Sequence, residues 1–275
     1  MLELEHGFRV VDVTARLTPG DGPWPRDRGR PISPERLERE MHQAGIVRAV
    51  VSPDPRPDAN YVRVNNGVAR LSVDRPFVAF ARINGPRSVG TGPTNRVADL
   101  VARRRDEHTS PKDVEQYAYD DRFHGFALDP AIDGVPDESV LQTLEDVGLP
   151  VCLSVGSDAP ASALADTLLN RSLPVLVSHF GRQTLDRESI AATIDLLDDY
   201  DDCYLDTSFV RYRELLERVL LEHPDRVCFG SGAPATHPNV SVMEILTLDV
   251  SEDLLRRAFS KNACRTIEAL LPDKS

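Results

Sequence analysis

Lysine is nearly absent from this chain: Lys112, Lys261 and Lys274 are the only three, so almost all of its positive charge is arginine. Positive charge is itself in deficit, with a formal net charge of −12. Nucleic-acid binding needs a basic face that neutralises phosphates, so that class of function is not expected. The Asp- and Arg-rich balance fits a salt-adapted cytoplasm and a GC-rich genome equally, and concerns solvation rather than a site. Long apolar runs are missing too: nothing approaches the ~20 residues of a helical span, so no membrane association is expected. The stretch from Met1 to Gly7 carries Glu3 and Glu5 and has neither a basic start nor an apolar signal core, so a cytoplasmic location is expected. Cysteine is sparse. Cys152, Cys203, Cys228 and Cys264 show no C-x-x-C spacing, and three of them fall in apolar runs, where the thiol acts as a small buried hydrophobe. Neither a disulfide framework nor a zinc site follows. Gly230-Ser231-Gly232 lacks the spacing of a serine-hydrolase elbow, and no G-K-[ST] accompanies the glycines near Gly90.

What is present is an alternation of short apolar runs and helical segments along 275 residues. The candidate strands are Phe8 to Thr14, Val47 to Ser52, Phe77 to Ile83, Phe123 to Leu128, Val151 to Val155, Val175 to His179, Cys203 to Asp206 and Val227 to Gly230. Several are almost continuously apolar, as strands covered outside by helices are. Between them, Leu37, Met41 and Ala44 recur at i, i+4 and i+7, as do Ile190, Ile194 and roughly Leu197. Ser33, Asp137 and Ser251 mark helix starts, and Gly45 and Gly148 mark ends. Two more helical segments, near Val242 to Leu248 and Asp253 to Leu270, close the chain. Eight such runs predict an α/β fold of the (β/α)8 TIM-barrel type spanning residues 1–275 as one domain, with a doubly wound open sheet as the competing arrangement. Two long segments, Thr18 to Pro31 with Trp24 and Asn84 to Asn95, follow strands and so belong at the C-terminal face, the second as a mobile lid.

The strand ends carry a resemblance. Val11-Asp12-Val13-Thr14-Ala15-Arg16-Leu17 resembles the first strand I-D-x-H-x-H-L of the amidohydrolase-related family, in the branch of the aminocarboxymuconate-semialdehyde decarboxylase-like enzymes and the pyrone-dicarboxylate lactonases. Gly148 to Gly156 resembles its G-L-P-V-x-I-H-x-G, Ser178-His179-Phe180-Gly181 its sixth-strand H-x-G, and Tyr204 to Ser208 its Y-x-D-x-S. Phe229 to Pro234 resembles F-G-S-D-x-P, and Asn262 to Arg265 matches N-A-x-R. The resemblance implies the amidohydrolase-like barrel and hydrolytic or decarboxylating chemistry. It also implies a divalent metal held by two first-strand histidines, fifth- and sixth-strand histidines and an eighth-strand aspartate. Those positions here are Thr14, Arg16, Ser154, His179 and Gly232, so only His179 keeps its type and the metal site is expected to be degenerate, with no cofactor. A rebuilt metal site from Asp12, His179, Asp206 and His237 is the less favoured alternative.

Arg16 then stands where a cation would sit. It either pairs with Asp12 or Asp206, or receives a small anionic carboxylate ligand bidentately. Arg82, Arg182 and Arg211, at the ends of strands three, six and seven, are candidates for the same face, with Asp12 and Ser154 beside them; a salt-bridged rim is the plainer reading. His179 is the candidate general base and Asp206 its acid, base or orienting partner, against the plainer readings of an inherited hydrogen-bonded residue and a structural ion pair. Ser208 is expected to satisfy a backbone group. His42 and His223 read as surface or capping residues, and His6, His108 and His124 as lying away from the site. The expected function is a metal-independent hydrolase, lactonase or decarboxylase acting on a small carboxylate. The alternative is a possible pseudoenzyme, a non-catalytic descendant that binds a metabolite or partner. Related barrels self-associate, so the resemblance also implies a possible homodimer.

Overall fold

A computed structural model describes residues 3–17, 32–55, 61–88, 107–156, 159–181 and 186–272. Eight parallel strands follow one another around one sheet in chain order: β1 (Val10–Arg16), β2 (Ile46–Ser52), β3 (Phe77–Arg82), β4 (Phe123–Leu128), β5 (Val151–Ser154), β6 (Val175–Ser178), β7 (Cys203–Asp206) and β8 (Val227–Cys228). The seam between β8 and β1 is closed by the chain just beyond β8: Val13 N donates to Phe229 O at 3.0 Å, Gly232 N to Thr14 O at 3.0 Å and Arg16 N to Ala233 O at 2.9 Å. This is the barrel, not the open sheet. Each predicted strand is present within about two residues, the usual uncertainty of an element's end. β1 is displaced furthest, because Phe8 lies before the sheet, packed on Phe259 with ring centroids 5.4 Å apart.

The intervening helices on the described residues are α1 (Pro34–Gln43), α2 (Tyr61–Ser72), α3 (Pro111–Ala118), the short α4 (Pro130–Asp133), α5 (Glu138–Val147), α6 (Arg187–Asp195), α7 (Arg213–Glu222), α8 (Pro238–Leu246), α9 (Glu252–Arg256) and α10 (Asn262–Thr266). Their starts carry the expected caps: Ser33 accepts from Arg36 N, Asp137 from Val140 N and Ser251 from Leu254 N. Gly148 ends α5 at φ 69°, the left-handed turn glycine adopts without a Cβ penalty. The faces predicted from periodicity are buried, including Leu37, Met41, Ala44, Ile190, Ile194 and Leu197. None of the described helices is long and apolar enough to cross a membrane.

The core has two layers. Residues such as Ala49, Val51, Ala79 and Leu205 face the helices, while Val11, Val13, Val50, Val78, Phe80 and Leu176 fill the lumen. Alternation then places Arg82, Ser154, Ser178 and Asp206, at the C-terminal ends of their strands, on the lumen side. β1 breaks this parity. Val11 and Val13 are inside, yet Ala15 and Leu17 belong to the outer layer, because the β1–β2 register shifts between Asp12 and Ala15. The irregularity turns Arg16 into the mouth.

Candidate active site at the mouth of the barrel

A cavity at the C-terminal end of the lumen is bounded by Val13, Thr14, Ala15, Arg16, Val50, Ser52, Arg82, Ala127, Cys152, Ser154 and Ser178. It encloses only about 20 Å³, room for one water molecule. No aspartate or glutamate is among these lining residues. Arg16 crosses it, donating from Nη2 to Ser154 Oγ at 3.0 Å. Arg82 lines the same cavity but is fully buried: Nη1 donates to Pro53 O at 2.9 Å and Nη2 lies 2.9 Å from Asp133 Oδ2. Tyr61 donates to the other oxygen of Asp133, and Asn65 exchanges hydrogen bonds of 2.8 and 2.9 Å with the backbone of Arg82. Sequence reasoning missed this Tyr61–Arg82–Asp133 cluster, whose members are brought together from α2, β3 and α4 with no local signal.

Beside the cavity, Asp206 gathers donors from three parts of the chain. Thr14 Oγ1 donates to Oδ2 at 2.5 Å. Oδ1 accepts from His179 N at 3.2 Å, from Ser208 N at 2.9 Å and from the Ser208 hydroxyl. The imidazole of His179 is buried, with Nδ1 2.5 Å from Ser208 Oγ but 4.0 Å from Asp206 Oδ1. His179 and Asp206 are therefore brought together, with Ser208 standing between their side chains. The spacing of Ser208, two residues after Asp206 at a strand end, was its only trace in the sequence. His179, Phe180 and Phe209 have φ of 63°, 42° and 60°, a region costly for bulky residues that persists only where surrounding packing enforces it. The Phe209 ring packs edge-on against the His179 imidazole, centroids 4.7 Å apart.

Four expectations are corrected or relocated. Asp12 is engaged within the seam: Oδ1 accepts from Thr14 N at 2.9 Å and Ser231 N at 2.8 Å, and Oδ2 from Ser231 Oγ at 2.5 Å, so it stitches β1 to the chain beyond β8. Burial pushes its carboxyl up to about 6, against the pull of those hydrogen bonds. Arg211 does not line the mouth; it is 38% exposed and pairs with Glu244 on α8 at 2.5 Å. His237 is not near the cluster but caps α8, accepting from Asn239 N at 3.2 Å. His6, expected in an exposed segment, is half-buried, stacked on Phe259 and bonded to Ala44 O at 3.0 Å. Arg182, Trp24 and the glycines at 90 and 92 lie outside the described residues.

Among the described residues, no three His, Cys, Asp or Glu side chains gather as they would to hold a metal ion. Gly232, where the resemblance looks for an aspartate, has φ 69°, and a Cβ built on it would lie 2.6 Å from Cε2 of Phe209.

A family model described as Amidohydrolase matches residues 11–267. No curated protein matches the chain. Among solved structures, 2,6-dihydroxybenzoate decarboxylase from Rhizobium is 14% identical with a TM-score of 0.65, over 95% of this chain and 99% of that one. 5-Carboxyvanillate decarboxylase from Novosphingobium aromaticivorans, solved with manganese and 3-methoxy-4-hydroxy-5-nitrobenzoic acid, is 14% identical with a TM-score of 0.67, over 98% and 100% of the two chains. An uncharacterised TIM-barrel protein from Bordetella bronchiseptica is 18% identical with a TM-score of 0.65, over 96% and 99%.

Proposed function

The chain belongs to the amidohydrolase family, and from that premise we propose that it acts on a small carboxylate, by lactone opening or decarboxylation, without the metal. The observation that carries this reading is Arg16, a cation that lines the cavity and donates to Ser154 there, with the buried His179 next in the chain to Ser178 of the same lining. A planar guanidinium matches a carboxylate bidentately. Imidazole is the side chain best suited to move a proton near neutrality. In lactone opening it takes the proton of the attacking water. In decarboxylation the protonated ring delivers its proton to the carbon that keeps the electron pair as carbon dioxide leaves. One anion anchor and one proton carrier serve either reaction. The structural neighbours named for dihydroxybenzoate and carboxyvanillate decarboxylation favour an aromatic carboxylate.

The donor chemistry supports the metal-free half of the proposal. Thr14 spends its hydroxyl proton on Asp206, Arg16 is a cation, Ser154 accepts from Arg16, and Gly232 offers no side chain. These residues do not fit a divalent cation, whose usual ligands are imidazole, thiolate and carboxylate.

A second reading, a ligand-binding descendant without turnover, is favoured by one observation: the cavity of about 20 Å³ is smaller than a benzoate ring, so it offers no substrate-sized space among the described residues. Metal analysis of purified protein, with thermal melts in zinc, in manganese and in a panel of hydroxybenzoates and lactone carboxylates, tests both. We expect no stoichiometric metal, no shift with either cation, and a carboxylate-dependent rise that Arg16→Ala abolishes. Stoichiometric metal, or a melt raised several degrees by either cation, overturns the proposal; binding without product selects the second reading.

A further inference from the structure

We propose that Ser208 is a positioning residue that fixes the ring tautomer of His179, placing the ring proton on Nδ1 and leaving Nε2 as the basic nitrogen. A serine hydroxyl has one proton to give. Here it goes to Asp206 Oδ1, so the Ser208 oxygen turns lone pairs toward Nδ1, 2.5 Å away. A lone pair on Nδ1 would meet them head-on; an N–H meets an acceptor. The reverse polarity needs a proton on Asp206 Oδ1, the oxygen that already faces the amide hydrogens of Ser208 and His179. Asp206 does not set the tautomer by direct contact, because Nδ1 is 4.0 Å from Oδ1. Ser208 is fully buried, so no solvent competes for its hydroxyl. Its neighbour Phe209 lays its ring against the imidazole and resists rotation. The hydrogen bond made by one ring nitrogen decides what the other does. A free imidazole favours the proton on Nε2, so Ser208 works against the intrinsic preference, which makes its effect measurable.

The functional weight of this inference rests on the reading of His179 as the proton carrier; the tautomer itself does not. The test is a long-range proton–nitrogen correlation spectrum of protein labelled with ¹⁵N-histidine, at a pH where imidazole is neutral, with the His179 signals assigned by their loss in His179→Gln. We expect a protonated Nδ1 and an unprotonated Nε2 in the wild type, and a shift of the proton to Nε2 in Ser208→Ala. A wild-type ring protonated on Nε2, or a tautomer unchanged in folded Ser208→Ala, overturns the proposal. If Ser208→Ala does not fold, Ser208→Cys, which keeps the size and weakens the donor, is expected to show a mixed tautomer, and an unmixed Nδ1–H form there is the overturning result. A wild-type Nδ1–H with carboxylate turnover unaffected by His179→Gln defeats the proposed chemistry and leaves the tautomer assignment standing.

Discussion

The two ends of this barrel are built on opposite plans. At the N-terminal end the lumen is plugged by Ala263, Ile267 and Leu270, which join Val11, Val50 and Val78 in one apolar cluster. Polar groups there fasten the plug: Arg9 donates to Leu270 O at 2.7 Å, Arg48 to Ala269 O at 2.6 Å and Asn262 to Val227 O at 2.7 Å. At the C-terminal end, Asp12, Arg82, His179, Asp206, Ser208 and Ser231 are buried together, and three non-glycine residues hold left-handed backbone. One end spends its burial on transfer free energy, the other on holding polar groups in fixed geometry. The contrast teaches that apolar packing and polar preorganisation are encoded at opposite ends: the closed plug stabilises the barrel, and the polar mouth draws on that stability.

The contrast is sharpened first at the plug. Ile267→Ala removes a buried aliphatic side chain and is expected to cost about 2–5 kcal/mol in urea unfolding, with carboxylate binding retained. Lost binding in a folded variant would join the two ends. At the mouth, Asp12→Asn tests what polar burial costs. Burial raises the Asp12 carboxyl to about 6, above its unfolded value near 4, so its favourable contribution is complete below about pH 4 and is lost as pH rises through 6. The wild type is expected to lose on the order of 3 kcal/mol relative to Asp12→Asn between those limits; parallel slopes of stability against pH would break the account. Gly230→Ala places a Cβ 2.9 Å from Asp206 Oδ1 and 3.1 Å from Thr14 Oγ1, both fixed in the network. Overpacking of about 1–3 kcal/mol is expected, together with weaker carboxylate binding, by calorimetry. Arg211→Ala should do least, about 0–1 kcal/mol for an exposed ion pair, and leave carboxylate binding unchanged. A loss of affinity there would widen the site beyond the cavity drawn from Arg16.

Much of the barrel was legible because its strands are near-continuous apolar runs bounded by caps whose chemistry is local: Ser33, Asp137, Gly148 and Ser251 each act within a few residues of themselves. The mouth was legible only in part. Strict alternation from Val11 and Val13 would point Arg16 outward; the register shift after Asp12 reverses it, and nothing in the composition of β1 announces that shift. Asp12 was read as a partner for a ligand because its occupants, Ser231 and Thr14, meet it across the seam from residues 219 positions away and from two positions on. Ser208 was assigned to a backbone group, and its bridge to His179 spans 29 positions. Arg211 lies in the segment after β7, as expected, but there it pairs with Glu244 of α8. The partners Ser231, His179 and Glu244 lie 219, 29 and 33 positions from Asp12, Ser208 and Arg211, pairings that no local pattern encodes.

The contact between Gly232 and Phe209 bears on what position 232 can carry. An aspartate placed at 232 would need a left-handed backbone that only glycine adopts easily, and the room that the Phe209 ring fills. The two obstacles are coupled: the aspartate collides while the ring stays, and moving the ring breaks its edge-on contact with the His179 imidazole. Position 232 is thus locked twice over, by a backbone turn and by an aromatic ring that also braces the imidazole.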